Sequence, residues 1–453
     1  MRVLNDYRRV PRVWLALLIF SALSLWHFGP RLPVMHRATP IYTDMGNNTA
    51  ELLSVMRAVV RHPWAFWRGQ FTYPYPYNNA LINSNYLCGV PYYVVYSLTG
   101  NPCLAYNLLL LLIFIANGMA VYILVKEWSG SSAAGIFAGA LCAFFPHRFH
   151  DTVDYHYQVT FMAALALWAW LCFVRYGGRR RLLLFFGIVA LKAISIDYQT
   201  VYLALALGIM VPCGFLAYPA RLREAWWQFL ALSAVLLVLL LPFYYPYYIN
   251  MTRLPSIGWV AHLSGCTRLD FISWPHAGEQ FTRFFHQITH LYQRSTYIPD
   301  APLLPGAVAL SASALGFVWA LTTPLFKGRK AWLVCGVAVL TVLTVLMAIV
   351  PVYKQGETPL SLSPLARLVL DPPLLGFVRN NRAYIHNVML CASILAGLAA
   401  GDVLRAAWRA RAAFGWSASA VVGLLTILMT LEHTVRVDSY GDTVPQRLSG
   451  VYE

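Results

Sequence analysis

Between Pro102 and Lys126 the chain reads PCLAYNLLLLLIFIANGMAVYILV and carries no charged residue. About 20 consecutive apolar residues cross the roughly 30 Å hydrocarbon core of a bilayer as a helix. Within lipid every backbone N–H and C=O must be paired internally, so only helices and closed barrels span. Runs of this kind recur along the sequence, and strand-like alternation is scarce. They predict about eleven spans, near 12–29, 103–125, 131–146, 158–175, 182–198, 199–217, 228–248, 304–325, 331–351, 384–404 and 413–433. Composition agrees: 59% of the 453 residues are hydrophobic and 11% charged, where a soluble domain carries about a quarter charged. The expected fold is an all-α membrane protein with a polytopic domain over 1–433 and a polar outer tail over 434–453.

Charge placement tests the span count. With the N-terminus inside, the inner loops are 1–11, 126–130, 176–181, 218–227, 326–330 and 405–412, and each contains Lys or Arg. That is the separation the positive-inside rule demands. Asp44, Glu51, Asp151, Asp154, Asp197, Asp270, Glu279, Asp300, Glu357 and Asp371 fall on or near the other face. The net charge of +16 is therefore spent on loops between spans. No basic stripe with interleaved aromatics lies on a polar domain, so nucleic acid is not a partner of choice. Arg2, Arg8, Arg9 and Arg12 precede the first run without a small-residue cleavage site, which reads as a retained span rather than a signal peptide. The eight cysteines include no CxxC pair, and a disulfide among Cys88, Cys103 and Cys266 is open.

Three predicted outer loops are long, near 30–102, 249–303 and 352–383. In the first, Leu52, Met56, Val59 or Val60, and Trp64 recur at helical spacing opposite Arg57 and Arg61, the pattern of a helix lying on a membrane surface. YLCGVPYYVVYSL is apolar but short, so it fits a re-entrant or interfacial segment. Asp44 stands just ahead of the amphipathic stretch. It reads either as a loop acid, with Asn47 or Asn48 as the helix cap, or as a general base or metal ligand.

Three further groups could carry chemistry. In FPHRFHDTVDYHYQ, Asp151 and Asp154, and His150 and Asp154, share a helical face. His147, His150 and His156 add possible ligands. The set suits a divalent cation, with magnesium or manganese favoured by the acids; a polar hairpin with no metal fits the same residues. In LKAISIDYQT, Lys192 lies in an apolar run with Asp197 at its outer end. Ionisable groups in spans are costly and face a partner or a cavity. In GFVRNNRAYIH, Arg379 and Arg382 offer planar forks that match phosphate oxygens, or anchor to lipid headgroups. NNT at 47–49 and NMT at 250–252 match the N-glycosylation triplet.

TDMGNNTAELLSVMRAVVRHP, NPCLAYNLLLLL, CAFFPHRFHD and FVRNNRAY together resemble the GT-C class of membrane glycosyltransferases. That class includes oligosaccharyltransferases and protein O-mannosyltransferases, and the layout is most like its uncharacterised prokaryotic multi-span members. The resemblance implies a lipid-linked sugar donor, a polyprenyl phosphate or diphosphate, used from the outer leaflet. It implies Asp44 as catalytic base or metal ligand, and Asp151, Asp154 and His150 as the cation site. The spacing is Asp-x-x-Asp where the class commonly has Asp-x-Asp. Arg379, Arg382 and Lys192 would hold the donor phosphate, with Asp197 in support. A plasma membrane location follows, with a cytoplasmic N-terminus and an extracytoplasmic C-terminus. In relatives a soluble outer domain often begins where the polar tail stands. A transporter or lipid flippase is the alternative, and a non-catalytic scaffold of the same fold is a third.

Overall fold

The computed structural model describes residues 10–37, 43–63, 86–145, 148, 155–195, 198–253, 307–322, 329–348 and 383–432. Among these, 93% are helical and none is in a strand. Every predicted run forms a helix. In chain order the helices of eight residues or more are α1 Val10–Phe28, α2 Thr43–Arg61, α3 Tyr86–Thr99, α4 Pro102–Ser129, α5 Ser132–Ala143, α6 Phe161–Tyr176, α7 Arg179–Ile194, α8 Tyr198–Ala217, α9 Pro219–Arg253, α10 Ala307–Thr322, α11 Arg329–Ala348, α12 Ala383–Ala410 and α13 Ala412–Glu432, with a short turn of helix at Tyr155–Gln158 leading into α6. Five are long and apolar enough to cross a membrane: those at 102–129, 155–176, 199–217, 219–246 and 385–410. Shorter apolar helices accompany them at 13–28, 132–143, 307–322, 331–345 and 412–428.

Local sequence sets several helix ends. Asn101 caps α4, its Oδ1 accepting from Leu104 N at 2.9 Å, and Pro102 occupies the first turn, where a missing N–H costs nothing. The helix stops at Gly130, whose φ of 73° is open to glycine at little cost. Ser131 then caps α5 through Ala134 N. Gly177 and Gly178, at φ 66° and 95°, make the sharp turn between α6 and α7.

Helix α5 lies between α4 and α12, and small residues allow the close approach. A Cβ on Gly139 would sit 2.4 Å from Gly118 O, and one on Gly135 2.9 Å from Tyr122 O. On α12, a Cβ on Gly397 would sit 2.6 Å from the Ala138 Cβ, and one on Gly401 2.6 Å from the Ser129 Cβ. Gly135/Gly139 and Gly397/Gly401 are each four apart, the small-residue spacing by which helices pack in lipid. Helix α12 also packs against α8, α10, α11 and α13, so the C-terminal third of the chain supplies a central helix. Helix α9 lies at the periphery against α7 and α8 and exposes Trp227, Val235, Leu237, Val238, Leu239 and Leu241, a face suited to lipid.

The two ends of the bundle differ in chemistry. Among the described residues, the predicted inner loops 126–130, 176–181, 218–227 and 405–412 meet at one end. There Arg175 donates to Glu127 O at 2.5 Å and to its Oε1 at 3.2 Å, Tyr176 OH donates to Glu127 Oε1 at 2.5 Å, and the Arg221 guanidinium lies beside Gly177. Arg405 pairs with Asp402, in a cleft shared with Trp128, Ser129 and Trp319. The opposite end gathers the N-termini of α3, α4, α6, α8 and α12 with the C-termini of α5, α7 and α9.

Two local expectations change. Helix α2 begins at Thr43, so Asp44 lies in its first turn and neither Asn47 nor Asn48 is the cap. Gly46, Asn47 and Asn48 are poor helix formers that suggested a later start, but an acid in a first turn suits the helix dipole. Both glycosylation triplets fall within helical backbone, in α2 and α9, rather than in loops. Cys88 is buried and Cys103 half-buried, and Cys266 lies outside the described residues.

Candidate functional site

The second end of the bundle is built from polar side chains that its helices bury. Helix α2 turns Leu52, Leu53, Val55 and Met56 inward and packs on α3, where Gly89 leaves room for the Met56 side chain. The amphipathic face thus exists, with Val60 exposed and Trp64 outside the described residues. Helix α3 is too short to span. Its N-terminus is tied to the end of α7, Leu87 N donating to Ser195 Oγ at 3.1 Å. Tyr244 of α9 closes the same side, its OH donating to Ala193 O at 3.0 Å.

At the centre of this end lies Arg148, fully buried. Its guanidinium donates to Gln158 O at 2.7 Å, to Gln158 Oε1 at 3.3 Å and to Thr160 Oγ1 at 3.2 Å. Gln158 Nε2 returns a bond to Arg148 O at 3.0 Å. Asn117, in mid α4, donates to Gln158 O at 2.8 Å and accepts from Thr160 Oγ1 at 2.9 Å. A buried guanidinium is tolerated only when its donors are used, and the fork of arginine serves several acceptors at once. This closed network pins residue 148 to 158–160.

Aromatic and imidazole rings line the surroundings. Tyr155 meets Tyr106 edge-on at 6.2 Å, and His156 lies between Tyr155 at 5.5 Å and Tyr157 at 4.2 Å. His386, at the start of α12, packs on Phe145 at 5.5 Å. Gln199, at the start of α8, donates its Nε2 to Tyr157 O at 2.8 Å. Lys192 is 1% exposed in the last turn of α7, and its carbonyl accepts from Ser195 N at 3.0 Å. Burying a lysine in lipid-depth protein is expensive.

Of the residues expected to carry chemistry, Lys192 is fully placed, and it lies at this end. The backbone of Asp44 is placed in the first turn of α2, which packs on this end through α3. Asp151, Asp154, His150, Asp197, Arg379 and Arg382 lie outside the described residues. Their flanking positions are placed, however: 148 and 155, 195 and 198, and 383 all belong to this end. Among the described residues no group of three His, Cys, Asp or Glu could hold a metal ion. The residues expected to bind a cation are not among them.

Arg148, Asn117, Gln158, His386 and Asn387 were not singled out by sequence. The available signal was polarity at helical depth: Asn117 interrupts the α4 run, and His386 and Asn387 open the α12 run. Comparison with models of known protein families returns no match, and comparison with curated proteins returns none either.

Proposed function

We propose that the chain is a membrane glycosyltransferase of the GT-C type. It moves a sugar from a polyprenyl-(di)phosphate donor to an acceptor on the extracytoplasmic side, with inversion. The reading includes about eleven crossings, a cytoplasmic N-terminus and an extracytoplasmic C-terminus in the plasma membrane. What supports it is the gathering of buried cationic, amide and imidazole groups at one end of an apolar helix bundle, the end onto which the helix bearing Asp44 packs. A scaffold gains no stability from burying such groups when apolar ones would pack as well.

In this reaction Asp44 takes the proton of the acceptor hydroxyl. The hydroxyl oxygen bonds to the anomeric carbon as the bond from that carbon to the phosphate oxygen breaks, and the electron pair leaves on the phosphate. One displacement inverts the centre. Lys192, Arg379 and Arg382 stabilise the leaving phosphate, where fixed positive charge in a water-poor site acts most strongly. Asp197 supports Lys192. Asp151, Asp154 and His150 would hold a magnesium or manganese ion, which would polarise the phosphate or the acceptor.

The test is transfer in sealed vesicles from a radiolabelled polyprenyl-phosphate sugar. Asp44→Asn is expected to lower transfer by about 10²–10⁴-fold while donor binding stays within twofold. Unchanged transfer removes Asp44 from catalysis. Lipid movement with no covalent product from the unaltered chain replaces the enzyme reading with a flippase.

A further inference from the structure

Two buried amides at the polar end have acceptor oxygens that meet no donor among the described residues. Gln199 and Asn387 are each 1% exposed. Gln199 Nε2 is used on Tyr157 O, but Gln199 Oε1 and Asn387 Oδ1 have no hydrogen-bond partner among the described residues. A buried carbonyl without a donor is costly, and each such group in a folded protein calls for an occupant that supplies one.

The two amides lie at one level on neighbouring helices. Helices α8 and α12 both start at the polar end and run to the basic end, so they are parallel. Tyr202 OH and Cys391 Sγ meet at 3.1 Å across them. Gln199 lies three residues before Tyr202 and Asn387 four before Cys391, so each shares the face of its neighbour. Both amides therefore sit one turn closer to the polar end than that contact, on the facing sides of the two helices. Tyr157, held by Gln199, and His386, beside Asn387, border the same level.

We propose that Gln199 and Asn387 form a subsite that reads hydroxyl groups of the sugar on the lipid-linked donor. The inference rests on the glycosyltransferase reading and adds to it the residues that select the sugar. Each orphaned oxygen accepts from one hydroxyl, which has a single proton to donate, so two hydroxyl groups of one sugar are needed to satisfy Gln199 Oε1 and Asn387 Oδ1. A site built to hydrogen-bond a hydroxyl rejects a ligand that lacks it, because its own polar groups then stay unpaired. The bare polyprenyl phosphate lacks these hydroxyls.

The experiment measures binding of a short-chain polyprenyl phosphate and of its mannosyl, glucosyl and arabinosyl esters to the purified full chain in nanodiscs. The unaltered chain is expected to bind at least one ester about tenfold or more tightly than the bare phosphate. Gln199→Leu and Asn387→Leu are each expected to erase that preference while leaving affinity for the bare phosphate within twofold. Asn387→Asp, which keeps acceptor oxygens in place, is expected to retain most of it. Size-exclusion elution identical to that of the unaltered chain qualifies each variant as folded; should a leucine variant fail this, Gln199→Met and Asn387→Ser take its place with the same expectation. A preference that survives in both folded variants overturns the subsite and leaves the enzyme reading intact, with trapped water as the occupant. An unaltered chain that binds no ester better than the bare phosphate, and transfers none, overturns both.

Discussion

The two ends of this bundle hold polar residues on opposite terms. At the basic end Arg175 and Glu127 are about a quarter exposed, and their pairing is open to solvent. At the other end Arg148, Gln158, His386, Asn387, Gln199 and Lys192 are buried almost completely. The first group costs little, since its charges keep contact with solvent. The second would be expensive if it had no partners, so its hydrogen bonds decide whether that end folds. Polarity counts for what surrounds it: the same residue types form a solvated edge at one end and a built interior at the other.

Replacing Arg148 tests the buried end most severely. Arg148→Met strips donors from Gln158 O, Gln158 Oε1 and Thr160 Oγ1. A loss of about 3–5 kcal/mol is expected, read as a collapse of the monodisperse peak in detergent. Arg148→Lys should recover less than half of it, since the three donors of an ammonium leave one nitrogen and cannot reach acceptors now served by two. Next comes the apolar seam between the ends. Gly139→Ala drives a Cβ into Gly118 O and the Phe20 ring, and about 1–3 kcal/mol of destabilisation is expected by thermal unfolding in detergent. Near-neutral behaviour there would mean that α4 and α5 are less tightly apposed.

At the basic end, Arg175→Ala should cost no more than about 1 kcal/mol, and its effect should shrink as salt rises. A cost like that of Arg148→Met would erase the contrast between the ends. Smallest of all is Leu239→Ala on the exposed face of α9, with a change within about 0.5 kcal/mol; a large loss would show that this face packs on protein rather than lipid.

The contrast also explains what could be read in advance. Each predicted run contains a helix, five of them long and apolar enough to cross a membrane, because hydropathy over 20 residues is a local property and lipid permits no other simple solution. The grouping of Arg175, Arg179, Arg181, Arg221 and Arg405 at one end followed from counting spans. Lys192 was legible as a charge within an apolar run. Arg148 was not, although it sits in FPHRFHDTVDYHYQ among residues that drew attention as ligands. Its role depends on Gln158, Thr160 and Asn117, and Asn117 is 31 positions away. The same holds for Gln199 and Asn387, whose common level is fixed by the Tyr202–Cys391 contact across 189 positions. The start of α2 was misplaced by weak helix formers, since propensity near a terminus is only a few tenths of a kcal/mol per residue.

The sequence by itself determined the class of fold, the extent of the helices and which loops carry positive charge. Each follows from short-range hydropathy and charge and needs no knowledge of which helix meets which. The tertiary structure decided that α12 enters the middle of the bundle, that paired glycines draw α4, α5 and α12 together, and that polar residues from α4, α7, α8, α12 and the stretch just before α6 meet at one end. Those pairings depend on side-chain shape and on hydrogen bonds between distant segments. Many arrangements of the same apolar helices would bury the same surface from water, and only packing chooses among them.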